Sequence, residues 1–193
     1  MTGTNNKRQL SGLIVGSLVA LSFGTVFVMV NSAELSSPWQ LVIRVVAVLV
    51  AAGLLVLVFR TERASTPAQQ SDVAGFSDPA YRYAVIFEVV ALFGGLFVIN
   101  GVLKKPDVAV AWVAVVVGLH FFPLGRAWRM PFYYWLGGAM TVLGLAGFLA
   151  HAAGASAATV ALISGVGSGF ALYAAVLMGI RDTRSRQVAA AAR

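Results

Sequence analysis

PWQLVIRVVAVLVAAGLLVLVF, residues 38 to 59, carries a single ionisable side chain, Arg44. A hydrocarbon core about 30 Å thick is crossed by roughly 20 helical residues at about 1.5 Å each, so this stretch has the length and apolarity of one crossing. It lacks the apolar and polar alternation of a membrane-barrel strand, which leaves the helix as its spanning form. Outward from it, five more runs of the same kind lie at about 10–31, 79–103, 107–127, 131–153 and 156–180. The expected fold is all-α: one polytopic transmembrane domain over 1–193, a bundle of six helices.

Composition agrees. The chain is 59% hydrophobic and 11% charged with a mean hydropathy of +0.85, where soluble domains are about half apolar and a quarter charged. Six spans leave no room for a soluble domain. Without cysteine there is no disulfide, thiolate nucleophile or Cys-ligated metal. Lys7 and Arg8 precede the first run, as in a signal peptide. Its apolar stretch, from Gly12 to Val30, exceeds the roughly 7 to 15 residues of a cleaved signal, and the exit NSAELSS offers no A-x-A site, so a retained first helix is expected.

The net charge of +7 is an orientation signal. With the N-terminus in the cytoplasm, 11 of the 14 basic residues fall on that side: Lys7, Arg8, Arg60, Arg63, Arg82, Arg126, Arg129, Arg181, Arg184, Arg186 and Arg193. Only Lys104 and Lys105 fall outside, and Arg44 lies within a helix. The positive-inside rule then places both termini in the cytoplasm. The same residues suit contact with anionic lipid headgroups. Nucleic acid is not an expected partner, since its binding wants a basic patch with interleaved aromatics on a soluble surface.

Prolines punctuate the chain. Pro38, Pro79, Pro106 and Pro131 each precede an apolar run, where the missing N–H costs nothing, and Ser37 and Asp78 are placed as caps. Residues 60–78, with ASTPAQQSDVAGFS at their centre, read as a cytoplasmic linker, and residues 181–193 as a basic cytoplasmic tail. Pro123 is the exception: either the fourth helix runs through it with a kink, losing the bond to the Leu119 carbonyl, or the helix ends early. Small residues repeat every four positions at Gly12, Gly16, Ala20 and Gly24, and at Ala157, Ala161, Gly165 and Gly169. Such stripes let helix backbones approach closely, within the bundle or against a second copy or another membrane protein.

An ionisable residue inside a membrane helix is a functional candidate by default. Glu88 shares a face with Ala84, Ala91 and Gly95, which points it into the bundle as a proton carrier or as a buried anchor. His120, on the next helix at a similar depth, is its natural partner in a proton-sharing pair; an interfacial histidine bonded to a backbone carbonyl is the plainer reading. Arg44, six residues from the start of its helix, can reach the interface by snorkelling or turn inward on the face it shares with Ala47 and Ala51, with Asn100 as the depth-matched partner. His120 and His151 sit toward opposite membrane faces and share no metal, and GVGSG at 165–169 lies inside an apolar helix without the strand-turn-helix setting of a nucleophile elbow. No catalytic residue, metal or cofactor is expected.

The segment GLHFFPL from Gly118, followed by two arginines and the aromatics Trp128, Phe132, Tyr133, Tyr134 and Trp135, marks a helix boundary with a headgroup-level aromatic belt. Over residues 118–138 it resembles small multi-pass integral membrane proteins of bacteria, actinobacteria in particular. The resemblance implies a bacterial plasma membrane and no defined activity. The expectation is a non-enzymatic component of the cell membrane, with a small-solute or proton-coupled transporter using Glu88 and His120 as the alternative.

Overall fold

A computed structural model describes residues 12–63, 79–128 and 130–192. Every long element is a helix, and no strand occurs among the described residues. The helices are α1 (Gly12–Asn31), α2 (Trp39–Arg63), α3 (Pro79–Phe97), α4 (Ala109–Trp128) and α5 (Phe132–Ala152). The last, α6, is assembled from Ala157–Val160, a π-helical stretch Ala161–Val166 and Gly167–Ala191. Six spans are long and apolar enough to cross a membrane, which marks a multi-pass membrane protein.

The boundaries depart from the apolar runs where polar residues continue a helix. α2 runs on to Arg63, and α6 to Ala191, eleven residues past the end of its apolar run, through RDTRSRQVAAA. That segment is rich in helix-forming Arg, Gln and Ala and is tied sideways to α2: Arg184 Nε donates to Thr61 Oγ1 at 3.1 Å and Gln187 Nε2 to the Thr61 carbonyl at 3.3 Å. At the other end α3 gives way to a π turn, Val98–Val102, and the chain reverses through Lys104 in the left-handed region at φ 51°. A 3-10 turn, Pro106–Val108, then leads into α4. Between α5 and α6 the reversal uses Gly154 at φ +85°, a conformation that only glycine adopts freely, and the Ser156 side chain caps α6 by accepting from the Thr159 N–H. The candidate cap Asp78 and the centre of the expected linker lie outside the described residues.

Pro123 sits inside α4, which continues to Trp128. Of the two readings of that proline, the continuous helix is the one observed, with the Leu119 carbonyl deprived of its usual partner.

α6 is the axle of the molecule. It packs against α1, α2, α4 and α5, and 61% of its spanning window is buried, against 6% for α3. α2 and α3 occupy opposite rims, α2 against α1 and α6, α3 principally against α4. Leu21, Val28, Leu54, Val58, Tyr173 and Ile180 join α1, α2 and α6 in one core; Leu136, Met140, Ala171 and Leu172 join α5 to α6 in a second. The two expected small-residue stripes meet within this chain at Gly24 and Gly169, where a Cβ on Gly169 would lie 2.7 Å from the Gly24 carbonyl oxygen. Gly165 accommodates the Asn31 side chain, and Gly16 lies toward the Tyr133 hydroxyl. α4 and α5 come equally close: a Cβ on Gly137 would stand 2.7 Å from the Gly118 carbonyl oxygen, and one on Gly144 2.7 Å from that of Ala111.

Candidate functional site

The α3–α4 seam holds the one intramembrane acid–base pair among the described residues. On α3 the seam is made by Ala84, Glu88, Ala91, Gly95 and, in the π turn, Ile99, of which Ala84 and Ile99 are buried. These positions follow the spacing of one helix face. On α4 it is Trp112 and His120, two turns apart.

Glu88 Oε2 lies 3.2 Å from His120 Nδ1, and the side chains keep 23% and 11% of their exposure. The same nitrogen stands 3.3 Å from the Ala84 carbonyl oxygen. A carbonyl only accepts, so an Nδ1–H donates to both oxygens at once; with the proton on the carboxyl instead, Nδ1 becomes the acceptor from Glu88. The geometry is that of a hydrogen bond between carboxyl and imidazole, its direction set by the histidine tautomer. Higher on the seam, Trp112 Nε1 donates to the Ala91 carbonyl at 3.0 Å, and its indole fills the space that any side chain at Gly95 would need. The polar contacts across this seam are therefore mixed: one ion-pair geometry and two bonds to main-chain oxygens.

Arg44 and Asn100 do not form the expected pair. Arg44 turns to the end of α1, where Nη2 donates to the Met29 carbonyl at 2.8 Å and Nε to Ser32 Oγ at 3.0 Å. With its amide turned so that oxygen faces the guanidinium, Gln40 accepts from Arg44 as well. Asn100 donates to the Leu96 carbonyl of its own helix at 2.9 Å. The correction has a simple cause. The last carbonyls of α1 lack helical partners and carry the negative end of the helix dipole, which makes them better acceptors for a cation than an amide on a distant rim.

The remainder of the GLHFFPL region packs aromatic rings of α4 against those of α5. Phe121 and Phe132 both stack on Tyr133, with ring centroids 5.8 and 4.3 Å away, and Phe122 lies 6.2 Å from Tyr134. Arg126 is exposed, while Arg129 lies outside the described residues. At the same end of the bundle as Arg126 are Arg60, Arg63, Arg82, Arg181, Arg184 and Arg186; the opposite end holds Lys104 and Lys105.

Comparison with protein-family models, with curated proteins and with solved structures finds no match to this chain. The resemblance of residues 118–138 to bacterial membrane proteins gains no support there.

Sequence reasoning passed over two features of the site. Trp112 was legible only as one more apolar residue, although Trp112 and His120 are eight positions apart and so share a face. The Gly137, Thr141, Gly144 and Gly147 series on α5 is the counterpart of the small face Ala111, Ala114 and Gly118 on α4, and its spacings of four and three were the available signal.

Proposed function

We propose that this protein is a non-enzymatic, multi-pass component of a cell membrane, with both termini in the cytoplasm, that works through contacts with lipid and other membrane helices. The observation that carries the reading is the position of Glu88 and His120. They lie on a rim seam where α3 has α4 as its one principal neighbour, and the contacts around them fasten helix to helix. This supports a polar clasp that seats α3 in the absence of any hydrophobic drive between helices in lipid. The unequal charge of the two ends supports the cytoplasmic placement of the arginine-rich end and its contact with anionic headgroups. The bacterial plasma membrane is proposed on the resemblance of residues 118–138 alone.

Proton-coupled transport of a small solute is the second reading, favoured by the direct 3.2 Å approach of carboxyl and imidazole. Purified protein in liposomes loaded with a pH-sensitive dye separates the two. The clasp reading expects Glu88→Gln and His120→Ala to lower the thermal unfolding temperature, each by the equivalent of about 1 to 3 kcal/mol, with proton permeability unchanged from the parent. Solute-dependent proton entry by the parent, abolished in either variant while its unfolding temperature holds, would overturn it in favour of transport.

A further inference from the structure

Ser164 and Ser168 are both fully buried. Four residues apart, they share one face of α6, and that face continues into Ala171, Leu172 and Ala175, which pack with Leu136 and Met140 of α5. The pair sits where the π turn Ala161–Val166 returns to regular helix. Ser164 Oγ donates across the interface to the Leu143 carbonyl at 3.0 Å. Ser168 Oγ, by contrast, meets no partner among the described residues.

Other short polar side chains in these helices behave differently. Thr25, Asn31, Asn100, Thr141, Thr183 and Ser185 each bond the carbonyl four residues back in their own helix, the usual resort of such groups. A hydroxyl buried without a partner costs more than an ordinary hydrogen bond returns, so the orphan at the centre of the bundle calls for a partner from outside the chain.

We propose that Ser164 and Ser168 hold one buried water molecule between them. Residues four apart on one helix face carry their Cβ atoms about 5–6 Å apart, and a water bent at its oxygen with two hydrogen bonds of about 2.8 Å bridges hydroxyls roughly 4 to 5 Å apart, within reach of two serine side chains that lean toward each other. Ser164 has given its own proton to Leu143 and keeps lone pairs for a water that donates; Ser168 supplies the second anchor, and two polar partners are the minimum such a water requires. Gly147 faces Ser164 so closely that any side chain there would overlap its hydroxyl, so glycine at 147 is what leaves room for that hydroxyl in the interface. The ligand is neutral. The described acidic residues, Glu34, Glu62, Glu88, Asp107 and Asp182, lie near helix ends, in turns or on the α3–α4 seam, leaving no carboxylate beside the serines to compensate a cation. The site is independent of Glu88 and His120, and stands or falls apart from the reading of their role.

Thermal unfolding of the full chain in nanodiscs tests it, with Ser164→Ala, Ser168→Ala and the double variant. Each single change is expected to lower the unfolding temperature by about 2 °C or more, and the double by clearly less than the sum, because both hydroxyls hold the same water. A simple loss of volume would give additive shifts. A Ser168→Ala variant as stable as the parent or more so, or an additive double variant, would overturn the proposal. In an experimental structure that resolves ordered solvent, density between the two Oγ atoms is expected, and a dry gap overturns it equally.

Discussion

Trp112 and Gly95 show how much one residue decides on the rim. The indole occupies the place of a side chain at Gly95 while its N–H bonds the Ala91 carbonyl, so ring and glycine form a lock that holds α3 in register with α4. Gly95→Ala gives the ring nowhere to stay. It is expected to cost about 1 to 3 kcal/mol through overpacking and the lost bond. With Trp39, Trp128 and Trp135 replaced by phenylalanine, the emission of Trp112 reports the displacement directly as a spectral shift; unchanged emission and stability would mean the ring is not lodged there. Arg44 makes the complementary point. Its charge is answered by main-chain oxygens at the end of α1, a partner that residue types along a sequence do not reveal, because every residue carries a carbonyl and only the fold says which are left over.

For whole elements, the governing quantity is how near two backbones come. α4 and α5 touch along Gly118, Gly137 and Gly144, and the obstacle to a Cβ at Gly137 is main chain, which cannot swing aside. Its neighbour Gly138 has nothing within 4 Å. Gly137→Ala is therefore expected to destabilise by about 1 to 3 kcal/mol, while Gly138→Ala is expected to be neutral or to gain up to about 1 kcal/mol from helix propensity; unfolding measurements that found the two alike would refute the crossing. Helix number was plain from apolar length alone, since 20 residues without charge have few other uses. Glu88 and His120 were legible as candidates at matching depth, by counting along antiparallel helices, but whether they face each other was not, and the plainer reading put His120 on a backbone carbonyl. The π turns of α3 and α6 were not legible. Their residues, VINGV and ALISGV, are ordinary members of apolar helical runs, and nothing in their types or spacing marks the change of helical period.

The molecule as a whole is unsymmetrical about the membrane plane. Arginine gathers at the end where α2 and α6 are tied through Thr61, and the lysine pair Lys104 and Lys105 lies at the other. Because the chain contains no cysteine, each end can be marked singly. In intact cells a membrane-impermeant maleimide is expected to label Lys104→Cys and to spare Arg186→Cys until the membrane is opened; the reverse pattern would invert the topology.

The central position of α6 also has a consequence in time. Principal contacts join α1 to α2, and α3 to α4 to α5, but it is α6 that brings these two groups together. On a ribosome, where a chain emerges from its first residue onward, two separate helical subassemblies wait in the bilayer with their inner faces on lipid. Closure is then a late event that waits for α6, which begins at Ala157.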